Sequence, residues 1–160
     1  MVPRAEPSFL IRKADLTDAD GILACLDAAF GEYRNQYTAK AFADTVVGPA
    51  AIQHRMAEMC LFVAVSEAKI VGTIGCDAKG DTGHLRGTAV LPEWRGTGVA
   101  SALLSRAEAA LQKSACRWVT LDTTEPLKRA IRFYQQHGFA ACGRVSDFFG
   151  MPLYEYRKPL

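Results

Sequence analysis

The sequence predicts a mixed α/β fold in which an antiparallel half is followed by a βαβ half, on one central sheet flanked by helices. Three observations predict it. Between Leu61 and Val90, three apolar runs are separated only by short turns, the pattern of an antiparallel meander. From Val90 to Asp122 the chain passes from a proline-stopped strand through a glycine-bearing turn into a long amphipathic helix and out into another strand. No repeat, linker or low-complexity run interrupts the 160 residues, a length that suits one domain, 1–160, with a core of its own.

Taken in order, Phe9-Leu-Ile-Arg-Lys13 is short and partly alternating, a first strand. Asp15, Thr17 and Asp18 offer capping side chains to a helix whose apolar face is Ile22, Leu23, Leu26, Ala29 and Phe30. A second helical region, Thr38 to Met59, is interrupted at Gly48-Pro49 and should divide there into two helices. Leu61–Val65 and Lys69–Cys76 are strands joined across Ser66-Glu67-Ala68. Lys79–Gly83 turns the chain into a strand from His84 to Val90. Pro92 lacks an amide for a ladder and disfavours helix at Leu91, so that strand stops there. After Ala100, apolar residues recur at Leu103, Leu104, Ala107, Ala110 and Leu111, one buried helical face. Arg117–Asp122 is a strand, and Leu127, Ala130, Ile131 and Tyr134 share the face of a helix that Pro126 opens and Gly138 ends. The tail reads as a strand, an aromatic loop with Phe148, Phe149 and Met151, and a last strand from Leu153 to Arg157.

Charge and cysteine content narrow the function classes. With 19 Lys+Arg against 17 Asp+Glu, the balance gives no case for a nucleic-acid or membrane partner. No apolar run approaches a membrane span and the first ten residues lack a signal-peptide core, so a cytoplasmic protein is expected. Cys25, Cys60, Cys76, Cys116 and Cys142 stand singly in apolar surroundings, none at metal-ligand spacing. Buried, reduced structural thiols and no metal are therefore expected.

The chemistry concentrates in two stretches. In the first, Arg95-Gly96-Thr97-Gly98-Val99-Ala100-Ser101 lies between strand and helix. Glycines without β-carbons let backbone amides approach an anion, and the first amides of the next helix have no internal partners. With the helix dipole and Arg95 they form a pyrophosphate cradle. Two other readings compete: a plain strand-to-helix joint, and a dinucleotide turn, against which the Pro92-Glu93-Trp94-Arg95 insert and the late position count.

The loop resembles the signature of the GCN5-related N-acetyltransferases, Arg/Gln-x-x-Gly-x-Gly/Ala between a strand and a helix. That resemblance implies acetyl-coenzyme A as cosubstrate, with its pyrophosphate on residues 95–101 and its pantetheine arm on the backbone of Thr88, Ala89 and Val90. It also implies the mixed fold with an antiparallel first half and a βαβ second half, over about residues 8–158.

The second stretch, Leu121 to Phe139, is similar to the family's Asn-x-x-Ala-x-x-x-Tyr followed by Gly-Phe, with Leu127 where the family has Asn. By the resemblance, Tyr134 protonates the departing coenzyme thiolate. Resemblance to protein N-terminal alanine acetyltransferases makes Asp122 the candidate general base. His84, which titrates near neutrality unaided, and a water chain are alternatives. The family's N-terminal helical region lines its acceptor groove, which makes Tyr33, Arg34, Tyr37 and His54 candidate acceptor contacts.

The implied reaction is direct transfer of acetyl to a primary amine, without an acyl-cysteine, since no activated thiol is visible. The expected partner is an amine-bearing small molecule or protein, with a homodimer left open. The alternative is a module that binds or senses acyl-coenzyme A without turning it over, which Leu127 and the open question of the base suggest.

Overall fold

The structure is a computed structural model that describes residues 8–160. The segment 1–7, most of the stretch searched for a leader, lies outside the described residues. Seven strands form one sheet: β1 (Leu10–Lys13), β2 (Cys60–Ser66), β3 (Lys69–Lys79), β4 (Thr82–Val90), β5 (Trp118–Thr123), β6 (Ala140–Phe148) and β7 (Met151–Pro159). Their order is β1-β2-β3-β4-β5-β7-β6. Strands β1 to β4 pair antiparallel, β4 and β5 pair parallel, and β5, β7 and β6 pair antiparallel. The antiparallel half followed by a βαβ unit is therefore as the sequence predicts. The turn Glu67-Ala68 closes the β2–β3 hairpin with both residues at positive φ, 49° and 63°, the twist that two-residue hairpins favour.

The helices are α1 (Ala19–Phe30), α2 (Ala39–Thr45), α3 (Pro49–Glu58), α4 (Val99–Lys113) and α5 (Lys128–Gln136). Thr38 caps α2 by accepting the Ala41 amide, and Pro49 opens α3 at the expected break. Asp18 sits in a capping box with Asp15 and accepts both arms of Arg12 at 2.7 and 2.8 Å, which holds its carboxyl below the usual range. Helix α4 covers one face of the sheet: a Cβ at Gly83 would collide with Leu111. Helix α5 lies beside α4, where the Ser101 hydroxyl meets His137. Helices α1 and α3 pack on each other over the opposite face. The core lies between these layers, with Ile22, Leu26, Ile52, Val63, Ile74, Leu103 and Val119 almost fully buried.

Three local expectations are corrected, and strand order settles one feature that the sequence leaves open. Pro126 lies in a turn before α5, which begins at Lys128 with Leu127 as its cap, so the proline does not open the helix. The aromatic loop of the tail is a two-residue turn at Phe149-Gly150; Phe148 and Met151 are strand residues. The last strand, β7, inserts between β5 and β6, leaving β6 as an outer edge. Not all five thiols are buried: Cys142 lies exposed on that edge strand and Cys60 is half-buried.

Candidate active site

The parallel pairing of β4 and β5 is short. It runs from Thr82↔Trp118 to Leu85↔Leu121 and stops, while β4 continues to Val90 along β3. Beyond Leu85 the β5-facing edge of β4 therefore has no strand beside it, and the two strands part around a cleft of about 610 Å³. A bulge falls at the parting: Thr73 opposes Ala89 and Gly75 opposes Arg86, so Ile74 faces both Gly87 and Thr88. Gly87 is at φ +66°, a conformation that suits glycine.

At one end of the cleft is the turn after β4. A short 3₁₀ segment, Pro92–Trp94, carries the chain to Gly96 and Gly98, at φ +75° and +88°. A Cβ at either would point into open space. The first amide of α4 to find a helical carbonyl is that of Ala102, on Gly98 at 3.0 Å, so the amides of Val99, Ala100 and Ser101 are left at the positive helix end. Val99 and Ala89 line the cleft although both residues are almost fully buried. The Thr97 hydroxyl donates back to the Trp94 carbonyl, and Thr97 does not line the cleft. Ser101 is committed too. His137 Nδ1 lies 2.8 Å from the Phe133 carbonyl and must donate to it, so Nε2 accepts the Ser101 hydroxyl at 3.1 Å. Arg95 is held by Glu32 at 2.6 Å, and Arg129 reaches the same carboxylate at 3.5 Å, which keeps Glu32 below the usual carboxylate range.

Deeper in the cleft, Tyr134 is buried, edge-on to Phe133 and Phe139 at 5.4 and 5.5 Å. Burial raises its phenol, and interaction with Thr88 only partly offsets that, so the hydroxyl keeps its proton at neutral pH. Leu127 lines the same wall.

On the other face of the sheet, strand alternation puts His84 of β4 beside Thr120 and Asp122 of β5. His84 Nδ1 is 2.9 Å from the Thr120 hydroxyl, which itself donates to the Gly83 carbonyl at 3.4 Å. On the other side of the ring, Nε2 lies 3.6 Å from the Asp122 carboxylate. Burial pushes the imidazole below its ordinary 6.5, against the attraction of Asp122, and raises the Asp122 carboxyl, against the attraction of His84. The two alternative bases read from sequence are thus neighbours.

Of the candidate acceptor contacts, Tyr33 and Tyr37 line the cleft, and Phe148 of the tail lines it as well. The Tyr37 hydroxyl is 2.6 Å from Thr124, which ties the chain before α2 to the end of β5. His54 does not line it: it is exposed on α3 and pairs with Glu58 at 3.1 Å. Arg34 stacks on Phe42 instead, and Phe149 and Met151 are also outside. Sequence reading missed Arg55, Asp44, Thr120 and the bulge at Gly87. The first left a trace: Ile52, Arg55, Met56 and Met59 share one helical stripe, so Arg55 is a charge on an apolar face. Among the described residues no group of three or more His, Cys, Asp or Glu is arranged to hold a metal. Burial raises the Cys25 and Cys76 thiols to about 12, which removes both as nucleophiles.

The same architecture is found among solved structures. The PaiA N-acetyltransferase of Thermoplasma acidophilum, solved with coenzyme A, superposes with a TM-score of 0.80 at 16% identity, over 96% of this chain and 99% of that one. The ribosomal-protein-S18-alanine N-acetyltransferase of Escherichia coli gives 0.76 at 16% identity, over 95% and 94%. In sequence, the chain is 34% identical over 97 residues to the N-alpha-acetyltransferase MAK3 of Arabidopsis thaliana, covering 58% of this chain and 50% of that protein. The chain thus spans about half the length of that curated relative. The model of the acetyltransferase (GNAT) family matches residues 22–139, from α1 through the turn, α4 and Tyr134 to Phe139. The chain belongs to the acetyltransferase (GNAT) family.

Proposed function

We propose that the chain is an N-acetyltransferase that moves acetyl from acetyl-coenzyme A directly onto a primary amine. The observation that carries this reading is that one cleft is lined at one end by an anion cradle and further in by a buried, protonated phenol. The residues fit the coenzyme: the Gly96–Ser101 turn offers free amides and open space at both glycines, and Arg95 and Arg129 supply charge. The unpaired edge of β4 from Arg86 to Val90 can hydrogen-bond an extended arm as a neighbouring strand would. Leu127, in place of the usual Asn, gives that arm an apolar contact.

Acetyl-coenzyme A supplies the acetyl group as an activated thioester. His84 and Asp122 take the proton of the attacking amine, Nε2 receiving it beside the carboxylate. As the amide C–N bond forms and the C–S bond breaks, Tyr134 protonates the thiolate, a role in which such an acid contributes about a hundredfold or more. The Arabidopsis relative is named for N-alpha-acetylation, which makes a peptide α-amine the first acceptor to test.

The test is Tyr134→Phe, with isothermal titration of acetyl-coenzyme A and thiol release as separate readouts. Release should fall about a hundredfold or more while affinity stays within about twofold. Unchanged release would remove Tyr134 as the acid. Wild-type protein that binds NAD or ATP but not acetyl-coenzyme A would end the reading altogether.

A further inference from the structure

Helix α3 places a guanidinium where an uncompensated charge is costly. Arg55 is only 9% exposed, its guanidinium has no side-chain hydrogen bond or ion pair among the described residues, and what it does expose faces the cleft. It lines the cleft over the β4 bulge: a Cβ at Gly87 would come within 3.1 Å of its Nη1. Two more charges sit there, Arg86 of β4 and Asp44 of α2, and they pair with each other at 3.1 Å. Two guanidiniums therefore share one carboxylate, and the remaining positive charge is the buried one. An arginine taken out of water is stable when a carboxylate meets its fork, and destabilised when none does. Burial accordingly pushes the Arg55 guanidinium below its ordinary value, with Arg86 adding to the shift and Asp44 opposing it.

The coenzyme is not the source of the missing anion. Its cradle is at the N-terminus of α4, with its own cations Arg95 and Arg129, whereas Arg55 belongs to α3 on the opposite face of the sheet. On that face Arg55 lies beyond His84 and Asp122 along β4. His84 and Arg86 are two residues apart on one strand, roughly 7 Å. One end of this surface takes a proton and the other end attracts an anion.

From this arrangement we propose that the acceptor carries a carboxylate as well as its amine, and that Arg55, assisted by Arg86, receives the carboxylate while the amine is presented to His84 and Asp122. The proposal rests on the transfer reading above and narrows its acceptor from any amine to an acidic one. The carboxylate can belong to a small amino acid or to an acidic side chain near a peptide's N-terminus; the chemistry at Arg55 is the same.

Two matched pairs separate the sources: β-alanine against β-alaninamide, and the C-terminally amidated peptides Ala-Glu-Ala against Ala-Gln-Ala. Binding is followed by isothermal titration with and without coenzyme A, and transfer by thiol release from acetyl-coenzyme A. At least one pair should favour its carboxylate member by about tenfold or more in both affinity and kcat/KM, and the pair that does so identifies the source. Arg55→Met should erase the preference while leaving the Kd for acetyl-coenzyme A unchanged, and Arg55→Lys should keep part of it. Equal behaviour within both wild-type pairs overturns the proposal whether or not a variant folds, as does a preference that survives Arg55→Met. Carboxylate-selective binding without thiol release upholds the anion site and overturns the transfer reading alone.

Discussion

At the residue scale, the candidate site is built from side chains whose neighbours are remote in sequence. Tyr134 could be placed in the cleft because its helix, its apolar face and the Gly138-Phe139 ending are all local, and Asp122 was singled out through a family resemblance; both line the cleft. Arg55 was not singled out. Its significance comes from a β4 bulge 32 residues further on and from the Arg86–Asp44 pair, none of which has a periodic signature. His84 and Asp122 were read as rival bases because nothing in the sequence reveals the parallel register that makes them partners. Their proposed role as the proton acceptor sets a pH profile. The imidazole must be neutral to accept a proton, and its value lies below 6.5. The kcat profile should hold from pH 8 downward and fall only below 6.5. Asp122→Asn removes the charge that favours the imidazolium, so it should move that acid limb lower still, with a reduced plateau. A limb that does not move in Asp122→Asn takes the pair out of the proton path.

At the scale of elements, local chemistry governs and most boundaries were legible. Pro92 stopped β4, Gly48-Pro49 split the second helical region, and the turn between β4 and α4 is built on two glycines with positive φ. The failures are also physical. Pro126 fits a first helical turn as well as the turn before it, and two neighbouring aromatics at Phe148-Phe149 resemble a loop until β6 and β7 pair around them. The turn at Gly98 yields a direct test. At φ +88° any other residue adds strain of about 1 kcal/mol, and a large one also fills the cradle. Gly98→Trp should retain the fold, by circular dichroism and melting temperature within a few degrees, yet lose measurable binding of acetyl-coenzyme A. Undiminished affinity would show that the anion sits elsewhere.

At the scale of the whole molecule, the sequence carried the two halves of the sheet but not their final order. Pattern gave an antiparallel meander, a βαβ crossover and two closing strands. Which of those last strands borders β5 is decided by long-range pairing, and β7 takes the place that chain order would give β6. The parting of β4 from β5 was equally invisible, since both strands read as ordinary apolar runs. This parting has a consequence for hydrogen exchange. Along β4, successive amides point to opposite neighbours, and past Leu85 one neighbour is missing. Alternate amides between Arg86 and Val90 should therefore swap their protons for deuterium rapidly, in the middle of a seven-stranded sheet, while those facing β3 remain protected for as long as the global fold. Adding acetyl-coenzyme A should slow the fast set and leave the slow set unchanged, so that the cosubstrate registers in the exchange pattern as the strand that the sheet lacks.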